Sequence, residues 1–301
     1  MPTRIGLSAL VIVGLCAGCV ASRQSAYLKT GDTVKPEPAR VAPAHTQAAV
    51  ARAWAAAEAA WAEREDPRSL KAALEQYEAV VKLKPDHRDA MARLARGYYL
   101  LGYGYAKTDA EILAAYDAGA RWGERMMGLN PEYRKRMEAK VNDELALSAC
   151  TREDVPGIFW AYANLGKLSV MQGFTTVLKN KGKVKAFIDR VTVLDEKYYH
   201  GAGHRGLLAY YAKAPAFTGG DLARAKEHYH RSMAVAPNYF GTRVLMARYY
   251  ATKMQDKALF RELLQGVIDG DPSVLPDVIP IQKIEQRKAR ELLAEMDELF
   301  E

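Results

Sequence analysis

The spacing of three residues ahead of a proline constrains the fold of this chain more than any other feature. In the stretch 218–239, Ala225, Tyr229 and Ser232 precede Pro237 at steps of four, three and five residues. On a helix, these steps place a small residue, an aromatic residue and a second small residue on one face. Such a face lets another helix pack closely, and the proline then ends the helix. The stretch therefore predicts one half of a two-helix unit.

A second stretch repeats this pattern. Ala73, Tyr77 and Val80 precede Pro85 with the same steps, and the pattern is typical of the second helix of a tetratricopeptide repeat (TPR). The predicted repeats end at Pro85, Pro131, Asp195, Pro237 and Pro272. These ends are 46, 64, 42 and 35 residues apart, against about 34 for a standard repeat. We therefore expect a TPR-like helical-repeat array with insertions.

Composition favours an all-α fold. Among the 301 residues, the helix formers Ala, Leu, Arg, Glu and Lys recur, and alternating β-branched runs are rare. The formal net charge is +7, but the basic residues are interspersed with acidic ones along the predicted helices. Nucleic acid is therefore not an expected partner.

The first 48 residues predict export and anchoring. Residues 1–18 are a predicted signal peptide, because Arg4 precedes an apolar run that is too short to span a bilayer. The run ends in a sequence that resembles a bacterial lipobox, so Cys19 is the predicted lipid anchor, with a non-lipidated secretory signal as the alternative. Val20 replaces the aspartate that retains lipoproteins in the inner membrane, which predicts an outer-membrane location facing the periplasm. Residues 19–48 contain three prolines and no apolar periodicity, as in a flexible tether.

Residues 49–301 form the predicted TPR-like α-helical domain. Its last helix, residues 281–300, is expected to cap the array with an apolar face that includes Ile284. Glu285 and Lys288 are expected on the outer side of that helix.

The middle of the domain departs from the repeat pattern. Gly119 and Gly123 stand where the pattern has a small residue and an aromatic one. Residues 132–149 look inserted. Apolar residues recur there at every fourth position from Met137 to Leu145, among charges, and predict one amphipathic helix on the surface.

Three Tyr-Tyr pairs occur in similar helical contexts and predict a ligand groove. Neighbouring residues on a helix point about 100° apart, so one tyrosine of each pair can pack between helices while the other faces the concave side. The predicted groove residues are Tyr98, Tyr99, Trp160, Tyr162, Asn164, Tyr210, Tyr211, Tyr249 and Tyr250. Such a surface suits an apolar or ring-containing ligand. For any single tyrosine, ordinary packing between repeat helices is the alternative.

The sequence gives little support for metal binding or catalysis. His200 and His204 are four residues apart, as in metal-binding pairs. No acidic residue stands beside them, however, and Gly201 and Gly203 loosen the start of the helix, so packed or polar histidines are the better interpretation. The chain has no serine-hydrolase, zinc-protease, P-loop or dinucleotide motif. We therefore predict no enzyme, metal or cofactor.

Four segments carry a resemblance that goes beyond a general repeat. They are VPGIFWAYAN at 155–164, HGAGHRGLLAYYAKAPAFTGGDLARAKEHY at 200–229, ARYYATKMQDKALFRELL at 247–264 and QRKARELLAEMDELF at 286–300. Together they resemble the TatT family, TPR-containing lipoproteins associated with tripartite ATP-independent periplasmic (TRAP) transporters. The resemblance implies an α-helical homotrimer with a pore or cavity through its core. It also implies association with the TRAP substrate-binding protein and delivery of a ligand, for which a small apolar molecule is one candidate.

The leading functional hypothesis is therefore a non-enzymatic accessory of solute uptake. It docks the substrate-binding protein and binds or passes ligand through the aromatic groove. The alternative is an outer-membrane TPR adaptor that scaffolds an envelope assembly or secretion machine by holding peptide segments in its groove.

Overall fold

A computed structural model describes residues 44–300 of the chain. Within this range there are fourteen α-helices and no strand. Consecutive helices pack against each other in hairpins, so the predicted all-α helical-repeat fold is confirmed. The finer assignment of the repeats to the TPR type stays a prediction.

The helices are numbered here in chain order. The first half contains α1 (Ala44–Ala62), α2 (Pro67–Leu83), α3 (Arg88–Leu100), α4 (Asp109–Met127), α5 (Pro131–Glu138) and α6 (Asp143–Leu147). The second half contains α7 (Val155–Met171), α8 (Phe174–Leu194), α9 (Tyr198–Lys213), α10 (Leu222–Val235), α11 (Phe240–Leu245), α12 (Lys257–Ile268), α13 (Ile279–Ala294) and α14 (Met296–Leu299). Two π-helical segments, Leu101–Tyr105 and Met246–Ala251, continue α3 and α11.

Side-chain caps fix where several helices begin. The carboxylate of Asp66 accepts the backbone N–H of Arg68 in the first turn of α2, and that of Asp221 accepts the N–H of Arg224 in the first turn of α10. Thr108 and Glu111 form a reciprocal capping box at the start of α4. Each cap satisfies backbone donors that the first helical turn leaves unpaired.

The repeat-like spacing predicts burial well. Ala73, Tyr77 and Val80 of α2 are fully buried, as are Ala225 and Ser232 of α10. In both helices these positions form the face that packs against the preceding helix of the hairpin. The aromatic position of α10 is the exception, because Tyr229 is only half-buried.

The predicted single helix over residues 132–149 is wrong. Lys140 has left-handed backbone with φ of 54°, which ends the helical path after α5. Asn142 then caps a new helix, α6, by accepting the N–H of Leu145. Tyr133 and Leu147 are buried, whereas Leu145 is 50% exposed. The insertion therefore folds as two short helices outside the array.

The helices on either side of this insertion, α4 and α7, pack directly against each other. We call their contact the glycine seam (Gly119, Gly123, Gly157, Ala161, Asn164). A Cβ atom on Gly123 would lie 2.6 Å from the backbone nitrogen of Ala161, and one on Gly119 would lie 2.4 Å from Oδ1 of Asn164. Gly123 is therefore required for backbone-to-backbone packing, and Gly119 leaves the space that the Asn164 side chain occupies.

Helix α13, near the C-terminus, contacts segments from the first half of the chain. The Tyr103 hydroxyl donates to Oε1 of Glu285 at 2.9 Å, across 182 positions of the sequence. Lys283 forms a salt bridge with Glu65 of the α1–α2 turn at 2.6 Å. These contacts bend the helical array around a central space.

This closure corrects part of the capping prediction. Ile284 is 3% exposed, which confirms the apolar face of α13. The expectation that Glu285 and Lys288 lie on the outer side is wrong, because that side of α13 faces the central space and the segment Leu101–Tyr105. Glu285 is 5% exposed.

The predictions for residues 1–43, including the signal peptide, Cys19 and most of the tether, lie outside the described residues. Helix α1 begins at Ala44, so its first five residues fall within the predicted tether 19–48. Across residues 44–300, no helix combines the length and the apolar character needed to cross a bilayer.

Candidate functional site

The central space is a cavity of about 760 Å³. Helices α7, α8, α9 and α13 supply most of its wall, and both π-helical segments contribute to it. Small-molecule sites in proteins commonly have volumes of roughly 300–1,000 Å³. The cavity is therefore large enough to hold a ligand.

One side of the cavity is an aromatic wall of Tyr99, Tyr103, Trp160, Tyr199 and Tyr239. The ring centroid of Trp160 lies 5.5 Å from that of Tyr99 and 4.9 Å from that of Tyr199. These separations are typical of favourable aromatic pairs. Burial raises the pKa of the Tyr99, Tyr103 and Tyr239 hydroxyls well above its usual value, so these groups stay neutral.

Five of the nine predicted groove residues line the cavity. They are Tyr99, Trp160, Tyr162, Tyr210 and Tyr249. In each of the three Tyr-Tyr pairs, one tyrosine lines the cavity and its neighbour does not, as the 100° rotation between helix neighbours requires. A role for these five residues in ligand binding stays a prediction.

The structure places Tyr98 and Asn164 away from the cavity. The Tyr98 hydroxyl donates to Oε1 of Glu78 at 2.8 Å, between α3 and α2. Asn164 is fully buried in the glycine seam, where its Nδ2 donates to the carbonyl oxygens of Ala95 and Trp160. Both side chains hold helices together instead of facing the groove.

Tyr211 and Tyr250 also have packing contacts. Tyr211 is 4% exposed, and its ring stacks on His228 with a centroid distance of 5.8 Å. Tyr250 is half-buried and packs against the main hydrophobic core. These two residues are the inward-packing partners of Tyr210 and Tyr249.

The charged residues of the cavity are absent from the predicted groove. Among the described residues that line it, six are cationic and one, Glu285, is a carboxylate. The cationic residues are Lys167, Lys181, Arg205, Lys213, Arg248 and Lys288. Lys167 is seven residues after Trp160 and therefore lies on the same face of α7. The helical period alone was thus sufficient to place Lys167 beside the predicted groove residue Trp160.

Two of these cations, Lys167 and Lys288, lie over the same aromatic ring, that of Tyr103. The Nζ atoms of Lys167 and Lys288 lie 4.3 Å and 3.1 Å from the ring centroid of Tyr103. Burial, together with the positive charge of Lys288, lowers the pKa of Lys167 to about 7. Burial lowers the pKa of Lys288 to about 8, although the negative charge of Glu285 opposes this shift.

Two more cations, Lys213 and Arg248, lie near the ring of Tyr249. The Nζ atom of Lys213 lies 5.0 Å from the ring centroid of Tyr249, and Cζ of Arg248 lies 5.8 Å from it. Burial, and then the charge of Arg248, lowers the pKa of Lys213. We call Lys167, Lys213, Arg248 and Lys288 the cationic cluster. None of the four forms a salt bridge with a carboxylate of residues 44–300.

The mouth of the cavity has an apolar rim at the α7–α8 turn. The rim residues Val170, Met171, Phe174 and Leu178 line the cavity and are 47, 37, 59 and 43% exposed. Contiguous apolar surface of this kind often marks an interaction site.

A family model described as "TRAP transporter T-component" (TAtT) matches residues 67–300, from α2 to the C-terminal helices. The chain belongs to the TRAP transporter T-component family. The resemblance to the TatT family is thereby confirmed, and the protein is a TRAP-associated component of the cell envelope. It is also similar to a protein of Treponema pallidum (strain Nichols) that is described as uncharacterized. The two are 24% identical over an alignment of 314 positions, gaps included, which covers 95% of this chain and 94% of that protein.

The histidines of this T-component pair with other side chains. His200 Nε2 lies 3.1 Å from Oδ2 of Asp277. His204 Nε2 lies 2.6 Å from Oε1 of Glu196, and its Nδ1 lies 3.1 Å from Nδ1 of His228. The two histidines of the i, i+4 pair thus have separate acidic partners. No group of three metal-ligating side chains suited to a metal ion occurs among residues 44–300.

An unusual backbone positions one ring of the aromatic wall. Tyr199, His200 and Gly201 have positive φ angles of 41°, 59° and 73°, a conformation that non-glycine residues rarely adopt. Arg205 donates to the carbonyl oxygens of Tyr199 and His200 and so stabilises this turn. The turn lets Tyr199 reach Trp160 in the cavity wall. Non-glycine positive φ of this kind tends to occur at functional sites.

Proposed function

We propose that this T-component is a non-enzymatic accessory of TRAP-type uptake that binds or passes a ligand through its cavity. The observation that carries the proposal is the cavity itself, which combines a volume of about 760 Å³ with the aromatic wall. Aromatic rings bind apolar or ring-containing molecules, and their hydroxyls orient them.

The TRAP substrate-binding protein docks, in this proposal, on the apolar rim. The rim residues are exposed to solvent and also line the cavity. A protein seated there covers the mouth, so that ligand can move between the two proteins without crossing bulk water. Burial of exposed apolar side chains supplies a driving force for this contact.

We further propose that lipid on Cys19 holds the protein at the outer membrane, facing the periplasm. The lipobox-like sequence and Val20 support this location. The homotrimeric state is proposed from the family resemblance alone.

The test is recovery of partners from envelope extracts, with mass spectrometry of the chains that co-purify. Phe174→Asp places a charge on the rim. Val193→Asp is the matched control, because Val193 also lies on α8, is 75% exposed and does not line the cavity. We expect the wild-type protein and the Val193 variant to recover a TRAP substrate-binding protein, and Phe174→Asp to recover about tenfold less.

Two outcomes contradict the proposal. Recovery of secretion or barrel-assembly proteins, with no substrate-binding protein, would favour the adaptor alternative. Loss of self-association in Phe174→Asp, with the substrate-binding protein still recovered, would make the rim an interface between copies of this chain.

A further inference from the structure

The cavity contains more positive charge than its own residues neutralise. Among residues 44–300, six cationic side chains and one carboxylate line it. Arg205 donates to the carbonyl oxygens of Tyr199 and His200, and Lys181 lies over a different ring from the others, that of Tyr210, 5.3 Å from its centroid. The remaining four cations form the cationic cluster.

The members of the cationic cluster repel one another. The charges of Lys288, Lys213 and Arg248 each disfavour the protonated form of Lys167, and the charge of Arg248 disfavours protonation of Lys288 and Lys213. Lys167 and Lys288 are half-buried, whereas Lys213 and Arg248 are exposed. Holding like charges beside the half-buried pair is unfavourable unless an anion compensates them. The Tyr103 and Tyr249 rings give only partial compensation through cation–π contacts.

Glu285, the one carboxylate that the described part of the chain places in the cavity wall, does not neutralise the cluster. Oε1 of Glu285 accepts the Tyr103 hydroxyl, and no salt bridge among residues 44–300 joins Glu285 to the cluster. Four cations against this single carboxylate leave an excess of three positive charges when all groups are ionised. The excess lies beside the aromatic wall, since Tyr103 of that wall contacts Lys167 and Lys288 of the cluster.

We propose that the cavity selects an amphipathic organic anion, whose acid group binds the cationic cluster and whose apolar body lies along the aromatic wall. This inference rests on the proposed function in one respect, that the ligand occupies this cavity. Lysine and arginine donors bind carboxylate, sulfonate or phosphate oxygens through charge-assisted hydrogen bonds. A neutral apolar ligand would leave the cluster uncompensated.

The test compares two fluorescent probes that share an N-phenylnaphthylamine body. Anilinonaphthalene sulfonate (ANS) carries an acid group, and N-phenylnaphthylamine does not. We expect the purified protein to bind ANS at least about tenfold more tightly than the neutral probe. Increasing salt should weaken ANS binding and leave binding of the neutral probe unchanged. Equal affinities in wild-type protein would overturn the inference, and this measurement needs no variant.

Substitutions locate the acid group. The double variant Lys167→Met, Lys288→Met should lose about tenfold or more in ANS affinity while its affinity for the neutral probe stays the same. Lys226→Met is the control, because Lys226 is exposed on α10 and does not line the cavity. If the double variant does not fold, Lys213→Met changes a more exposed member of the cluster and should lower ANS affinity in the same direction. Equal loss for both probes, or no loss for ANS, would overturn the inference.

Dodecanoate and dodecanol extend the test to a carboxylate. Dodecanoate should displace ANS, and dodecanol should not. The result of the probe test is independent of the proposal that the substrate-binding protein docks on the rim. If the protein prefers ANS but recovers no substrate-binding protein, only the docking proposal fails. If it recovers that protein but binds both probes equally, only the present inference fails.

Discussion

The two faces of α7 differ sharply. On one face, Gly157, Ala161 and Asn164 meet α4 at the glycine seam, with backbones in near contact. On the other face, Trp160 and Lys167 point to the cavity. One helix thus connects a closely packed helix contact to the central cavity.

The difference separates stability from ligand binding. The seam has no room for an additional methyl group, so its residues are constrained by packing. On the cavity face, a Cβ atom added at Gly166 meets no atom within 4 Å. Substitutions on the two faces of α7 should therefore change different properties of the protein.

The largest effect is expected at the seam. Gly123→Ala adds a Cβ atom 2.6 Å from the nitrogen of Ala161 and 2.8 Å from the carbonyl oxygen of Gly157. Because both atoms are backbone, relief requires α4 and α7 to separate, and we expect a loss of about 3 kcal/mol in the free energy of unfolding. Urea denaturation measures it. Gly266→Ala in α12, which meets nothing within 4 Å, is the control. A loss no greater than that of the control would show that the seam is not tightly packed.

Asn164 tests the boundary between the two faces. Asn164→Ala removes two hydrogen bonds to carbonyl oxygens and leaves a small void, for an expected loss of about 2 kcal/mol in stability. ANS affinity should not change, because Asn164 does not line the cavity. A variant with full stability but weakened ANS binding would instead show that Asn164 contributes to the ligand site.

The pH dependence of stability tests the cavity face. Lys167 has a folded-state pKa of about 7, against 10.5 when unperturbed, so the unfolded chain binds more protons between these values. Its protonation therefore disfavours the fold fully below about pH 7, and this cost disappears as the pH rises toward 10.5. The groups around it that contribute are Lys288, Glu285, Lys213 and Arg248.

Lys167→Met should remove that cost. We expect a gain of about 1–2 kcal/mol in the free energy of unfolding near pH 6, reduced from the full linkage value because Lys167 keeps partial contact with solvent. The gain should vanish above about pH 10.5. Urea titrations across this range measure it. A gain that does not vary with pH would mean that Lys167 does not titrate in the folded protein as described.

The smallest effect is expected at Gly166. Gly166→Ala removes backbone freedom from the unfolded chain and meets no steric obstacle, so stability should rise by about 0.5–1 kcal/mol. A thermal melt detects this as a higher midpoint. A lower midpoint would show that the cavity face is more closely packed than the structure indicates.

The sequence predicted those features that depend on local spacing. The steps among Ala73, Tyr77 and Val80 were sufficient to identify a buried helix face. The rotation between helix neighbours was sufficient to predict that only one tyrosine of each pair faces the cavity, although not which one. The family followed from longer segments, whose order along the chain is specific.

Apart from Lys167, the charged residues of the cavity could not be predicted in this way. Tyr103 and Glu285 are 182 positions apart and meet because the array closes on itself, a long-range effect that no local period contains. For the same reason, α13 was expected to present Glu285 and Lys288 to solvent. The left-handed backbone at Tyr199 was also unforeseen, since neither Tyr nor His favours that conformation.

The central claim is that the cavity beside α7 is the ligand site. ANS binding to Gly166→Trp and Gly166→Ala tests it most directly, because the indole fills the cavity from its wall while the methyl group leaves the space open. We predict that the Ala variant binds ANS as the wild-type protein does. The Trp variant, with its folded state confirmed by circular dichroism, should bind about tenfold more weakly or not at all. Equal ANS affinity in the two folded variants would contradict the claim and place the ligand elsewhere on the molecule.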